Sequence, residues 1–507
     1  MSTSTPTRTS TPNVKKKNIN GVVAIATLGA LAFGFDTGVI SGAIPFLELP
    51  FSDGGLALDK TQVGLVTSSL VLGAAFGGLL SGKMADSVGR KKTLLAVASL
   101  FVLGALGTSF APNVTVMVIF RIVLGLAVGG ASATVPVFIC ELAPTDRRGK
   151  LVARNELLIV TGQLLAYSTN ATIATALPND HHTWRYMLLL CTLPAAGLFV
   201  GSFFLIESPR WLIDHGRDNE AKVALWQLRE TTDMRQIEQE YTDIKDHSQA
   251  MRAATSGSFS EYMRTDWVRK ISIIGILLAF LSQMTGVNSV MYYAPSILID
   301  TGLGTRASIV ATIGNGVVSV AAVAIGSMVL LPRMRRRPML LTGQVGVTVA
   351  LTMIGIVFTF LPESALRSYL VLAFMMTFLF FMQCFVAVIF WLMLAEIFPL
   401  RVRGKVMGMA VFANWMANFI VALLFPPLQA ALHGKTFFVF AVINLVTIFF
   451  YWKFIPETKG KSLEELESYF QREYSTNSEA TDASSIRRAT QKPRHNAPEA
   501  GLEAFGR

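Results

Sequence analysis

The chain has 507 residues, of which 52% are hydrophobic and 15% charged, against about 25% charged in an average soluble domain; a water-soluble globular protein is excluded. Its net charge of +11 would suit nucleic acid in a soluble protein. Here the Lys and Arg residues sit in short loops between apolar runs, where they act as topology signals, so no nucleic-acid partner is expected. Cys140, Cys191 and Cys384 lie in apolar segments without metal-ligand spacing, so neither a disulfide framework nor a metal site is implied.

Residues 1–18 are rich in Ser, Thr and Pro and end in Lys15, Lys16 and Lys17, a polar tail too unpatterned to fold and expected in the cytoplasm. The first apolar run, about 22–45, is longer than the apolar region of a signal peptide and holds Asp36, so it reads as a signal anchor and first span. Further runs lie near 62–81, 93–111, 115–140, 153–177 and 185–206, completing a six-helix unit over 19–206. Each is long enough to cross about 30 Å of hydrocarbon. A charged stretch, 207–268, follows. Its patterns EAKVALWQLRE and MRQIEQEYTDI predict short amphipathic helices on the membrane surface. Six more apolar runs, near 271–299, 307–331, 338–361, 368–395, 405–431 and 436–455, make a second unit over 269–455. The tail, 456–507, begins as a helix and decays into Ser, Thr, Ala and Arg. The fold class is therefore all-α integral membrane, with twelve transmembrane helices in two pseudosymmetric six-helix bundles.

Basic loops alternate with loops poor in charge. Lys83, Arg90, Lys91 and Lys92 form one basic set, Arg147, Arg148 and Lys150 a second, Arg333 to Arg337 a third, and Arg401, Arg403 and Lys405 a fourth. By the positive-inside rule these loops and both termini face the cytoplasm. The halves also repeat. Glu141 followed by Arg148-Gly149 recurs as Glu396 followed by Arg403-Gly404, and Gly89-Arg90-Lys91 has a counterpart near Arg335-Arg336-Arg337. Two six-span repeats with a site between them is transporter architecture.

Asp36 stands alone in the apolar stretch LAFGFDTGVISGA. An ionised Asp at bilayer depth costs about 3 kcal/mol or more, so such residues face a bundle interior, find a partner and mark an ion or proton path. Arg121 in the fourth span is the natural partner, sharing a helical stripe with Gly125 and Gly129 that offers a smooth face to a neighbouring helix. Polar groups gather elsewhere. Gln283, Asn288 and Tyr292 surround a break at Gly286 in the seventh span, Gln163 and Asn170 share a face of the fifth, Asn414 and Asn418 a face of the eleventh, and Asn315 stands in the eighth. Amides supply both donors and acceptors, which a ring of hydroxyls needs. As a set they favour a polyhydroxylated solute.

Eight motifs in order resemble the sugar porter family of the major facilitator superfamily over residues 20–465: GFDTGVISGA, GKMADSVGRKK, RIVLGLAVGG, ELAPTDRRGK, ESPRWL, SQMTGVNSVMYYAP, EIFPLRVRGK and PETKGKSLEE. The resemblance implies inverted three-helix repeats nested in each bundle and alternating access. It implies proton coupling through Asp36 and Arg121, since facilitators of this family carry a neutral residue in place of the acid. It also implies that Gln163, Gln283, Asn288, Asn315 and Asn414 hydrogen-bond the solute and that Trp391 stacks on its carbon face, with Tyr292 and Trp415 in the same site. Arg90, Glu141, Arg148 and Glu207 in the first half, with Glu396 and Arg403 in the second, would form a latch of ion pairs that closes the inner side. The chain departs from the family pattern at Ser282-Gln283 and at Asn414, where shorter side chains replace Gln. It has Ala387-Val388 where many relatives have Gly-Pro, and Leu331 and Arg335 where the second-half loop has an acid and a glycine, so a weaker C-terminal latch is expected.

The expected function is proton symport of a monosaccharide or cyclic polyol, hexose, pentose or inositol, into a bacterial cell across its cytoplasmic membrane. A facilitative uniporter of the same fold is the first alternative and a transporter-like sugar sensor the second. An enzyme is not expected, because the chain has no Gly-rich phosphate loop followed by Lys and Ser/Thr, no HExxH and no Ser-His-Asp set. No cofactor is expected beyond the coupling proton, and the protein is expected to work as a monomer.

Overall fold

A computed structural model describes residues 16–144, 148–177, 180–231, 233–254, 259–399, 402–460 and 463–474. Both terminal tails beyond these limits, and the side chain of Arg148, lie outside the described residues. No strand occurs among those residues. The first six spans are α1 (Ile19–Leu47), α2 (Lys60–Val88), α3 (Arg90–Ser109), α4 (Val114–Leu142), α5 (Arg148–Ala176) and α6 (Thr183–Phe203). The second six are α7 (Asp266–Asp300), α8 (Thr305–Arg333), α9 (Arg336–Phe360), α10 (Ala365–Ile397), α11 (Arg403–Leu432) and α12 (Thr436–Phe454). Helices of 29 residues, such as α1, α2 and α4, are about 43 Å long, so they cross the hydrocarbon and project beyond it.

Local chemistry sets the ends. Asn18 caps α1, Asn113 caps α4, Ser364 caps α10, and Asp59 with Gln62 forms a capping box at the start of α2. Each cap satisfies an otherwise orphaned N–H where the chain leaves the bilayer. Between α11 and α12 the chain reverses through a single 3₁₀ turn, His433–Lys435. In the first bundle α2 and α4 pack most closely. Gly125 rests on the Leu70 carbonyl and Gly129 on that of Ala74, leaving no room for a Cβ. Small residues of this kind let helix backbones approach in a membrane, where no hydrophobic drive holds them together.

The bundles meet along three helix pairs, α1 against α7, α2 against α11 and α5 against α8. Three irregular points lie in the second bundle. Gly286 takes a left-handed conformation, φ 85°, which breaks α7 into Asp266–Gln283 and Val287–Asp300. A π turn interrupts α8 at Gly326–Leu330 and another interrupts α10 at Met382–Ala387. These two turns touch, because Gly326 seats on the Cys384 carbonyl. The absence of Gly-Pro at Ala387-Val388 therefore does not leave α10 regular there, since a π turn supplies its own local distortion.

Between the bundles run helices Pro209–Asp214, Asp218–Leu228, Met234–Ala254 and Phe259–Tyr262. They are tied to the first bundle at the end that carries the basic loops. Trp211 Nε1 donates to the Asp86 carbonyl at 2.8 Å, and Arg229 Nη1 to that of Leu142 at 2.9 Å. This basic end fixes the orientation used below.

Replacing Gly125 by Val would push a branched side chain into the Leu70 carbonyl. Overpacking of this kind costs about 1–3 kcal/mol, so Gly125→Val is expected to lower the Tm of the detergent-purified protein. An unchanged Tm would show that α2 and α4 are not held at this distance.

Candidate functional site

Inside the first bundle Asp36 on α1 and Arg121 on α4 are 1% and 0% exposed. Arg121 Nη1 donates to Asp36 Oδ1 at 2.8 Å and to Oδ2 at 3.2 Å, and its Nε donates to the Val66 carbonyl on α2 at 3.3 Å. One guanidinium thus links three helices. Arg121 Nη2 has no hydrogen-bond partner, so the pair is compensated in charge while one donor remains unused. Asp36 is the eighteenth and Arg121 the eighth of the 29 residues of their helices, and packing rather than distance from the helix ends closes both side chains off from water.

The pair connects through backbone contacts to the helix that bears Gln163. Gly38, two residues beyond Asp36, packs on α5 at Gln163 and Ala166, and Asn170 Nδ2 donates to the Gly38 and Val39 carbonyls at 3.1 and 3.2 Å. From the same face of α5, Gln163 Nε2 lies 3.4 Å from Met291 Sδ on α7, and the Tyr167 hydroxyl donates to the Met291 carbonyl at 3.2 Å. Asp36 and the bundle interface are therefore two contacts apart.

Around the α7 break the remaining polar residues converge. Asn288 Nδ2 donates to Gln283 Oε1 at 2.7 Å across the break, and Ser282 Oγ lies 3.5 Å from Asn414 Oδ1 on α11. The Tyr292 hydroxyl faces Asn418. Asn315 on α8 is 1% exposed and neither its Nδ2 nor its Oδ1 is hydrogen-bonded. Its neighbour Gly316 packs on Leu164 and Tyr167 of α5. A buried amide with both ends unmet costs about 1–3 kcal/mol, a cost that a polar ligand can remove. Trp415 packs with its ring tilted against that of Phe33 of α1, centroids 5.9 Å apart, three residues before Asp36. Trp391 on α10 is 36% exposed and its ring neighbour is Phe390, at 4.7 Å, rather than a residue of the amide set.

At the basic end Arg90 Nη2 pairs with Glu141 Oε1 at 3.0 Å. Glu207 Oε1 accepts from the backbone N–H groups of Arg90 and Ser208 at 2.8 and 2.9 Å. In the second half Arg403 donates to the Phe398 carbonyl at 3.0 and 3.1 Å, and one carboxylate oxygen of Glu396 has no hydrogen-bond partner. The second half keeps a capping carboxylate at α9. Glu457 accepts from the Arg336 and Arg337 N–H groups at 2.9 and 3.2 Å, as Glu207 does for α3. Glu457 is thus the counterpart of Glu207 and not of the loop acid, and both carboxylates sit at helix N-termini, where the dipole favours them.

Residues 22–470 match the family model for "Sugar (and other) transporter". The chain belongs to the sugar porter family. It is 45% identical over 450 residues to the major myo-inositol transporter IolT of Bacillus subtilis, covering 89% of this chain and 93% of that one. It is also 32% identical to the D-xylose-proton symporter of Escherichia coli, covering 90% and 96%. Among solved structures it matches the inward open conformation of the xylose transporter XylE from E. coli with a TM-score of 0.75 and 30% identity, covering 89% of this chain and 99% of that one. Sugar porters are membrane transporters of the major facilitator superfamily and not enzymes.

Several groups in this geometry escape a reading of single motifs. Met291 and Tyr167 carry the contact between α5 and α7, yet a thioether and a lone Tyr in apolar helix carry no signal of their own. Glu457 was legible as the partner of Glu207, since ESPR and PETK stand at corresponding places in the two halves. Glu156 was legible too, seven residues before Gln163 on the same face of α5.

Breaking the central pair should be costly, because an unpaired buried charge remains. Arg121→Ala is expected to destabilise the protein by about 3–5 kcal/mol, with the double variant Asp36→Asn/Arg121→Gln regaining most of the loss. Thermal unfolding of the three proteins in detergent checks this. A double variant no better than Arg121→Ala would remove charge pairing as the reason for the loss.

Proposed function

We propose that this sugar porter imports a monosaccharide or cyclic polyol by proton symport, working by alternating access in the cytoplasmic membrane with both termini inside. The observation that carries this reading is the fully buried Asp36–Arg121 pair, held by α1 two contacts from Gln163. Such a pair is a two-state element. While the groups touch, the charge of Arg121 compensates that of the carboxylate; protonation of Asp36 neutralises one partner and weakens the tie between α1 and α4. A proton can therefore be exchanged for a change in helix packing. Family membership supports transport, and the relatives named for myo-inositol and for D-xylose with protons support the solute class and the coupling.

The solute would lie among Gln163, Gln283, Asn288, Tyr292, Asn315 and Asn414, with Trp415 beside them and Trp391 closing from α10. Asn315 supplies the clearest need, with both amide atoms buried and unmet. Ser282 and Asn414 shorten two positions, leaving more space than a Gln at each would, which suits a compact ring with hydroxyls on every side. At the basic end the Arg90–Glu141 pair, Arg148, Glu396 and Arg403 would act as the inner latch, while Glu207 and its second-half counterpart Glu457 hold helix N-termini within each bundle. The protein would work as a monomer without a cofactor.

Uptake by proteoliposomes of labelled myo-inositol, D-glucose and D-xylose, with and without an inward proton gradient, tests the proposal. Accumulation of one solute above equilibrium only when the gradient is present is the expected result; equilibration without accumulation would establish a uniporter instead. Asp36→Asn is expected to abolish accumulation while counterflow exchange survives. Asn315→Ala and Asn288→Ala are each expected to weaken solute binding by about 1–3 kcal/mol, the cost of leaving a hydroxyl unpaired, as read by the concentration dependence of counterflow. Unchanged affinity would remove that residue from the site.

A further inference from the structure

Glu156 is a carboxylate inside a membrane-spanning helix that the pair, the amide set and the latch leave unused. Seven residues separate it from Gln163, nearly two full turns, so the two share a face of α5. That face meets α7 through Gln163 and Met291. Leu165 lies nine residues on from Glu156, two and a half turns, hence on the opposite face, and its 45% exposure marks the lipid side. Glu156 is nevertheless exposed. Its exposure is therefore to an opening between the bundles, not to lipid. No cation or hydrogen-bond donor is paired with it among the described residues.

Its height follows from the helix contacts. Gly34 packs on the Ile159 carbonyl and Gly38 on that of Gln163, so Asp36 lies between those two levels. At 1.5 Å per residue, Glu156 is roughly 7 Å nearer the basic end than Asp36. The elements packed on α5 bring few other titratable groups. From α1 there is only Asp36; α7 has Tyr292 and Tyr293 beside Met291, with Asp266, Arg269, Lys270 and Asp300 toward its ends; α8 has Arg306 and Arg333 at its two ends; α4 has Arg121, Cys140 and Glu141; α6 has Arg185, Tyr186 and Cys191. On α5 itself Arg154 is turned to Asn20 Oδ1 at 3.1 Å, and Tyr167 is bonded to Met291.

We propose that Glu156 is the inner station of the proton path, receiving through water the proton that leaves Asp36 and releasing it to the cytoplasm. This rests on the symport reading above. The O–H bond of the Asp36 carboxylic acid breaks, an O–H bond forms on a Glu156 carboxylate oxygen by way of an intervening water, and a second transfer gives the proton to bulk water; no electrons change hands. Arg121 then re-forms its pair with Asp36, the arrangement present in this structure. A carboxylate in an aqueous opening at membrane depth, without a fixed counter-ion, is suited to bind and release a proton in turn.

Glu156→Gln keeps the size and hydrogen-bonding capacity of the side chain and removes its titration. In proteoliposomes loaded with whichever of myo-inositol, D-glucose or D-xylose the wild type accumulates, the variant is expected to lose gradient-driven accumulation and the dependence of release on internal pH. Counterflow at equal pH should keep its KM, and Glu156→Asp should restore accumulation. Infrared difference spectra of the purified proteins between acid and neutral buffer should show a protonated carboxyl band in the wild type that Glu156→Gln lacks, a reading that needs no solute. A variant with normal accumulation and normal pH dependence, or identical carboxyl bands in the two proteins, would overturn the proposal. So would a raised counterflow KM with pH dependence intact, which would make Glu156 a solute ligand. Failure of the wild type to accumulate any solute with the gradient would instead sink symport itself.

Discussion

A charge pair that cannot reach water organises this protein. Asp36 and Arg121 lie inside membrane-spanning helices, and both are essentially unexposed. Neither could remain ionised alone at that depth without a cost of several kcal/mol. Each therefore requires the other, and the requirement fixes the register of α1 against α4. The contact to the Val66 carbonyl adds α2, and the glycine stripe of α4 brings α2 close enough for that contact to exist. Packing and electrostatics are here one constraint. Without the small residues the guanidinium would not reach α2, and without the pair the small residues would hold two helices around a buried charge.

The same constraint explains how a site at the bundle interface can be linked to an ion pair inside one bundle. α5 is hooked to α1 by Asn170 just beyond Asp36 and meets α7 through Gln163, Tyr167 and Met291. A movement of α1 relative to α4 is thus transmitted to the face that meets the second bundle. The second bundle answers with irregular backbone. The break at Gly286 and the paired π turns of α8 and α10 lie on helices that carry Gln283, Asn288, Asn315 and Trp391. In a membrane such departures are tolerated where they are buried in protein or line a cavity. Strict helix is kept where charge must be fixed, and irregular helix where polar groups must converge.

Much of the fold was legible because the bilayer leaves few options. Runs of apolar residues long enough to span can only be helices here, and the alternation of basic loops orders them. Asp36 and Arg121 were legible as a pair for the same reason, since each stands alone in apolar helix. The amide set was legible less sharply. Gln283 and Asn288 meet across a break that Gly286 signals, but the contact of Gln163 with a methionine sulfur follows only from the crossing of α5 and α7. Sequence spacing orders residues along one helix and says nothing of the angle at which two helices cross. The basic end shows a related limit. Leu331 and Arg335 leave that loop without an acid, and the carboxylate that caps α9, Glu457, comes from more than a hundred positions later.

Glu207 and Glu457 also separate two roles that basic-end charges can hold. Both accept backbone N–H groups at the first turn of a helix, α3 and α9. Such caps lie within one bundle and need not break when the bundles rock, so they stabilise each bundle as a rigid body. A pair such as Arg90–Glu141 is built from two flexible side chains and can exchange partners. Rigid-body rocking needs both kinds: caps that keep the six-helix units intact, and side-chain pairs that can be remade as the inner side opens and closes. The repeated glutamates are thereby divided by geometry, with Glu207 and Glu457 tied to backbone and Glu141 tied to a side chain.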